Sequence, residues 1–413
     1  MNEKKNPFSL EILERAAEKF GTPFYLYSEK ILRQRARQLN FAFLRFPGFR
    51  EFFAVKATPT PKILKIFAEE NFGMDASSEV ELFLCEKCGI SGEKIMFSSN
   101  ATRDSEFAKA AEMGAIINFD DISLLDKFLA AGQKINPKIP ACFRINPGAQ
   151  KKGNAFIGDP VEAKYGITLE QLLPAYEKLK NAGAKKFGIH TMVVSNERNP
   201  DSFTETAEIL IECVKKLEKI NVECEFMNIG GGFGIAYKPD EKILPIEKVA
   251  ENLFELFSKN FSNKKWPRLF MEHGRWLAAP AGFLVARTNS RKDIYKKYVA
   301  LDACMADLMR PGMYGAYHHI SVPARENSKN FETVDVVGSL CENCDKFAVD
   351  RKLPKIEIGD LVVIHDAGAH GRAMGFNYNG KLRAQEILLR ENGEFEQIRR
   401  RETIKDYFAT LIF

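Results

Sequence analysis

The sequence predicts an α/β protein: a (β/α)8 barrel of the TIM type, followed by a C-terminal β domain of the β-sandwich or Greek-key β-barrel kind. Three observations carry this reading. Between Glu51 and Gly274, short β-rich runs alternate with amphipathic helical runs through eight units. The strand runs are near-continuously apolar, as strands buried on both faces of a parallel sheet must be. Polar residues gather where those runs end, which is where barrels of this kind collect their chemistry. A doubly wound open sheet is the structural alternative, and the count of eight and the clustered polar residues favour the barrel.

The eight strand runs are FFAVK (52–56), FGMDA (72–76), IMFS (95–98), IINFD (116–120), ACFRIN (141–146), KFGIHTMV (186–193), FMNIGG (226–231) and LFMEHG (269–274). Helical stretches lie between them. Residues 61–70 start with Pro61, which suits a first helical turn, and residues 201–220 form the longest such stretch. SSEVELFLCEKCG is a helical pattern that stops at Gly89. After Arg275 the texture changes to strand-like alternation (YVALD, IEIGDLVVIHD), with NG turn signals at Asn379-Gly380 and Asn392-Gly393. The expected division is a barrel over residues 35–275 and a β domain over 1–34 and 276–413, which PFYLY (23–27) joins.

Composition narrows the class. The chain has 413 residues, 45% hydrophobic and 28% charged, ordinary for a soluble globular protein with a large core. The net charge of +5 is spread along the chain, and the short basic clusters lack interleaved aromatics, so nucleic-acid binding is not expected. No apolar signal region opens the sequence, and the apolar stretch at 277–286 is broken by a proline and too short for a membrane span. A cytoplasmic protein with free thiols is expected. Cys85/Cys88 and Cys341/Cys344 have CxxC spacing, but zinc would need both pairs to meet across most of the chain, so no metal is expected.

The chemistry begins with Lys56, a lysine inside the apolar run EFFAVKATPTP. Taken alone it reads as a strand-end lysine reaching for water. The other strand ends, however, carry Asp75, Arg144, His190, the glycines Gly230, Gly231 and Gly232, and Glu272. NIGGGFGI lacks the GxGxxG spacing of a dinucleotide site and suits a single phosphate held by backbone N–H groups. In MEHGR, Glu272 offers a carboxylate to a protonated ring nitrogen. A lysine, a phosphate loop and a carboxylate are three parts of a pyridoxal 5'-phosphate site. In such a site Lys56 attaches the cofactor covalently, and Glu272 keeps the ring able to accept electrons.

The ordered segments AVKAT, MDASSEVEL, RINPG, KYGI, NIGGGFGI, EHGR, MRPGMYGAYHHI, CENCDKFAVDRKLP, GDLVVIHDAGAHG, NYNGKLR and RRRET extend over nearly the whole chain. In them the sequence resembles the diaminopimelate decarboxylases, on the alanine racemase/ornithine decarboxylase-like fold. The resemblance implies decarboxylation of meso-2,6-diaminoheptanedioate to L-lysine, the last step of lysine biosynthesis. It implies that Ser195, the three glycines and Gly274 surround the cofactor phosphate. It also implies that Arg275, Arg310 and Tyr314 hold the substrate's distal carboxylate, and that Glu342 faces its distal amino group. Tyr378 lies near the cofactor. Cys341 enters from a partner subunit and delivers a proton, so a symmetric homodimer with interfacial sites is implied.

Several positions depart from the family's common pattern. HxHxGS reads HTMVVSN, which puts Met192 where a ring-stacking histidine is usual. EPGR reads EHGR, DAGAY reads DAGAH, placing His370 near phosphate and substrate, and CESGD reads CENCD. Cys341 matches the proton-donating cysteine of diaminopimelate decarboxylases, whereas Cys344 matches its counterpart in ornithine decarboxylases. The alternative reading is therefore a decarboxylase of a basic amino acid, ornithine or lysine, with a D-enantiomer included.

Overall fold

The computed structural model describes residues 4–153 and 158–413, and these fall into two compact units. One comprises Arg33–Ile235 and Ile243–Trp276. The other comprises the described residues up to Leu32, together with Ala236–Lys242 and Leu277–Phe413.

The first unit is a closed barrel of eight parallel strands, preceded in the chain by β1 (Phe24–Ser28) of the other unit. They are β2 (Arg50–Ala54), β3 (Gly73–Ala76), β4 (Ile95–Ser98), β5 (Ile116–Phe119), β6 (Ala141–Ile145), β7 (Phe187–Thr191), β8 (Cys224–Asn228) and β9 (Arg268–Met271). β9 pairs with β2 and shuts the barrel. The eight apolar runs read from the sequence are these eight strands. Alternate side chains fill the interior, where Phe52, Met96, Ile116, Cys142, Phe226 and Phe270 form one buried cluster. The Phe226 and Phe270 rings stack with centroids 4.6 Å apart. Helices cover the outside. The one at Pro61–Glu69 starts with proline at its first turn, and the longest spans Asp201–Glu218.

The strands end earlier than the apolar runs suggest. β2 stops at Ala54, and Lys56 sits on the 3-10 turn Val55–Ala57 with an exposed side chain, not in a buried strand. The ladder with β9 is interrupted just before this point, because the His273 N–H donates to the Glu51 side chain rather than to the backbone of β2, while the Ala54 N–H still bonds to the His273 carbonyl. Likewise the triglycine follows β8 and Glu272 follows β9, so both belong to loops at the barrel mouth.

The second unit is a nine-stranded sheet. β1 lies between β10 (Gly282–Asp293), antiparallel, and β16 (Gln385–Leu389), parallel. β11 (Lys297–Leu301), β12 (Ile320–Ser321), β13 (Phe331–Val337), β14 (Lys346–Pro354), β15 (Leu361–Ile364) and β17 (Phe395–Arg399) complete it. The amphipathic helix Leu10–Phe20, capped by Ser9, buries Leu13, Ala16 and Ala17 against Phe24, Leu26, Val285 and Val363. Asn392-Gly393 turns the hairpin between β16 and β17. Asn379-Gly380 does not turn a hairpin. It lies in the 3-10 turn Tyr378–Gly380, where Asn379 takes φ of 51°. Among the described residues, no helix is long and apolar enough to cross a membrane, and all eight cysteines are free.

Candidate active site

Register explains why polar side chains converge at the barrel mouth. Asp75 pairs with Ala54 of β2, Arg144 of β6 with His190 of β7, and His190 with Asn228 of β8. Adjacent parallel strands in register point equivalent side chains to the same side. β6, β7 and β8 therefore bring Arg144, His190 and Asn228 to a common level, and β3 adds Asp75 near its own end.

Glu272 is the centre of this set. One of its carboxylate oxygens accepts from Asn228 Nδ2 at 2.7 Å, and the other lies 3.0 Å from His190 Nε2. Burial opposes its charge, but His190 nearby, the hydrogen bonds from His190 and Asn228, and the Lys56 ammonium outweigh that, and hold the carboxyl below its ordinary range. Asp75 goes the other way. Burial pushes its carboxyl well up and Glu272 adds to the push, while Lys56 and Arg144 only partly offset it. Two nearby carboxyl groups in different surroundings thus differ in their hold on a proton. Arg144 donates to the Met192 carbonyl at 3.2 Å and lies 4.3 Å from the Tyr165 ring centroid.

The glycine loop is held by close backbone packing. Gly230 has φ of 73°, which favours glycine, and a Cβ on Gly231 would stand 1.9 Å from the Glu272 carbonyl oxygen. The loop after β7 runs beside it: the Glu197 N–H bonds to the Gly232 carbonyl at 2.8 Å. That places half-buried Ser195 on the same rim. Met192 points its sulfur at the Gly231 N–H, 3.1 Å away. Gly274 and half-buried Arg275 follow Glu272 at the start of the short helix Arg275–Ala278.

These residues fit pyridoxal phosphate. Among the described residues, the N–H groups of Gly232 and Gly274 find no acceptor. Asp75 Oδ1 and His190 Nδ1 are buried without a hydrogen-bond partner. Unmatched buried polar groups are uncommon in folded proteins and call for an explanation. With exposed Lys56, they make a mouth supplied with an amine, acidic groups and unused donors.

The second unit holds the other expected residues. Arg310 and Tyr314 begin and end the helix Arg310–Tyr314. A Cβ on Gly312 would stand 2.3 Å from the Cys344 carbonyl oxygen, so this helix packs on the loop 341–344. Asp345 anchors that loop by accepting from Met305 N at 2.7 Å and Leu340 N at 2.8 Å. Cys341 is exposed, and its N–H donates to Asn379 Oδ1 at 2.7 Å, which brings it beside the turn that bears Tyr378. Cys344 is half-buried with its sulfur 3.9 Å from Met305 Sδ, and burial, with Glu342 adding to it, pushes its thiol up. His370 is half-buried with φ of 55°.

Arg310 is only 4% exposed. Its guanidinium donates to the Tyr237 hydroxyl at 2.8 Å, and no ion pair of Arg310 with a carboxylate is found among the described residues. Sequence reasoning gave no role to Tyr237 or to Asn228. Asn228 could have been found as the polar residue inside the seventh apolar run, FMNIGG, just ahead of the triglycine. Tyr237 could not, because only the fold joins it to a residue 73 positions away.

Comparison with known proteins gives the family. Residues 30–279 match the family model described as "Pyridoxal-dependent decarboxylase, pyridoxal binding domain". Protein TabA of Pseudomonas amygdali pv. tabaci is 41% identical over 96% of this chain and 92% of its own. A diaminopimelate decarboxylase of Methanothermobacter thermautotrophicus is 34% identical over 94% of this chain and 91% of its own. The crystal structure of the M. jannaschii diaminopimelate decarboxylase in complex with L-lysine is similar with a TM-score of 0.90. It is 31% identical, covering 97% of this chain and 94% of that one. A closed parallel barrel with a cofactor-fitting mouth and a separate sheet unit, matched along nearly its whole length, places this chain in the pyridoxal phosphate-dependent decarboxylase family, a family of carboxy-lyases.

Proposed function

We propose that the protein decarboxylates meso-diaminopimelate at its D-configured centre, giving L-lysine and carbon dioxide. The observation that carries this reading is Arg310. A buried guanidinium with one hydroxyl partner and no carboxylate has donors to spare. A distal carboxylate supplies the missing anion, and arginine's planar fork suits it. Ornithine and lysine have no second carboxylate to offer. The relatives named diaminopimelate decarboxylase, and one solved with L-lysine, support the same substrate class.

Bound pyridoxal phosphate supplies the electron sink for the pair left behind when carbon dioxide departs. The chain does the rest. Lys56 holds the cofactor at the barrel mouth. Glu272, kept ionised by His190 and Asn228, meets the ring nitrogen. Asp75, Arg144, His370 and Tyr378 border the cofactor, with Ser195, Gly230, Gly231, Gly232 and Gly274 around its phosphate. Arg275, Arg310 and Tyr314 clamp the distal carboxylate, and Glu342 receives the distal amino group. Substrates lacking that carboxylate are rejected because they leave the clamp's charge unpaired. Cys341, delivered by the second subunit of a homodimer, hands over the proton from its thiol. The exposure of Tyr314 (63%) and Tyr378 (50%) on a single chain supports a covering partner. This chemistry belongs to cytoplasmic lysine biosynthesis.

The test is a substrate panel. Protein loaded with pyridoxal phosphate is mixed with meso-diaminopimelate, or with L- or D-lysine or L- or D-ornithine, and carbon dioxide and L-lysine are measured. Equimolar carbon dioxide and L-lysine from diaminopimelate alone supports the reading. Release from a monocarboxylate instead assigns Arg310 another task and establishes the basic amino-acid alternative.

A further inference from the structure

Glu51 is a carboxylate on β2, five residues before Lys56, and its side chain is fully buried. The neighbouring Phe52 faces the barrel interior, so Glu51 faces the layer behind the wall. Its partner there is His273, between Glu272 and Gly274. Glu51 Oε2 lies 3.0 Å from His273 Nδ1, and Glu51 Oε1 accepts from the His273 backbone N–H. The His273 carbonyl in turn accepts from the Ala54 N–H at 3.2 Å. Residue 273 is therefore fastened to β2 by its side chain, its N–H and its C=O. Its ring centroid lies 3.9 Å from that of Phe233, the residue after the triglycine.

These contacts join the three pieces on which the site depends: the strand leading to Lys56, the turn bearing Glu272 and Arg275, and the glycine loop. The related pattern EPGR has proline at this place, and proline offers neither an N–H nor a ring nitrogen acceptor or donor. A buried carboxylate needs partners, and both oxygens of Glu51 find theirs on one residue of the turn.

We propose that Glu51 and His273 form a positioning pair that fixes the turn 272–275 on the lysine-bearing strand, and so sets where the Glu272 carboxylate meets the cofactor ring. This rests on the reading of Glu272 as the partner of the ring nitrogen. Side chains that touch the ring need sub-ångström support from the groups behind them.

The experiment uses the holoenzyme and compares Glu51→Gln, His273→Asn, His273→Phe and Glu272→Gln. The readouts are the visible circular dichroism of the bound cofactor, its apparent dissociation constant, the thermal midpoint, and kcat and KM on the best substrate. For Glu51→Gln the expected result is an altered dichroic band, about tenfold weaker cofactor binding, and kcat down about tenfold with KM within about twofold. His273→Asn carries an amide N–H in place of Nδ1–H and is expected to retain the band and most of kcat. His273→Phe keeps a ring against Phe233 but loses that donor, so it is expected to repeat the Glu51→Gln result even if Glu51→Gln fails to fold. A lower thermal midpoint with unchanged band, cofactor affinity and kcat in both Glu51→Gln and His273→Phe overturns the proposal, because the pair then only stabilises the fold. A band that moves in Glu272→Gln but in neither pair variant overturns the pair alone. A band that Glu272→Gln leaves untouched overturns the reading of Glu272 beneath it.

Discussion

Tyr237 engages Arg310 in two ways. Its hydroxyl accepts a 2.8 Å hydrogen bond from the guanidinium, and its ring centroid lies 5.3 Å from the guanidinium carbon. Tyr237 is itself buried, and its backbone N–H is anchored by Glu241 at 2.8 Å. The tyrosine thereby restricts where a buried cation can point, which a binding clamp needs.

Tyr237→Phe keeps the ring and removes the acceptor. One hydrogen bond to a charged group is worth about 1.5–3 kcal/mol, and part of it is regained by water. The expected outcome is a KM for diaminopimelate raised about 3–10-fold with kcat nearly unchanged. Steady-state kinetics checks this; a fall in kcat at constant KM would remove Tyr237 from the clamp.

Asp75 and Glu272 predict opposite pH behaviour in protein stripped of cofactor. Burial and Glu272 raise the Asp75 carboxyl, so its contribution to stability is present below the unfolded value and is lost as pH rises through the folded one. Asp75→Asn is therefore expected to be more stable than wild type by about 1–2 kcal/mol at neutral pH, a gain that vanishes in acid, while activity is lost. Glu272 is lowered by its partners despite burial, so its contribution is present above the unfolded value and is lost as pH falls through the folded one. Glu272→Gln should accordingly be less stable at neutral pH, by a margin that closes on acidification. Denaturation midpoints across pH 3–8 check both signs.

The two cysteines of CENCD face different surroundings. Cys341 is exposed, whereas Cys344 turns toward Met305 with its thiol pushed up by burial and Glu342. Proton transfer by a positioned group contributes about 10²–10⁴-fold. Cys341→Ala is expected to lose about 100-fold or more in kcat, and Cys344→Ala less than about threefold. Single-turnover assays of both variants check the order, and the reverse order would give the donor role to Cys344.

Much of the barrel was legible because parallel strands buried on both faces carry continuous apolar runs, and Lys56, His190 and Glu272 stand at or just past their ends. Strand ends were read too long. An apolar run does not show where a ladder hydrogen bond is diverted, as the His273 N–H is to the Glu51 side chain. Asn379-Gly380 carries a hairpin signal, yet Asn379 spends its left-handed turn on holding Cys341. Glu51 read as the flank of an apolar run, because its partner His273 is 222 residues away. Tyr237 was hidden for the same reason. Local pattern reveals the frame and the residues that end each strand, while the residues that position them are joined only by the fold.

The most direct test of the substrate assignment is the ratio of kcat/KM for meso-diaminopimelate to that for D-lysine, measured in wild type and in Arg310→Ala. If Arg310 selects the distal carboxylate, wild type favours diaminopimelate by at least about 100-fold and the ratio collapses toward unity in the variant, through a higher KM for diaminopimelate alone. A ratio that survives the loss of Arg310, or a wild type that prefers the monocarboxylate, would contradict the assignment.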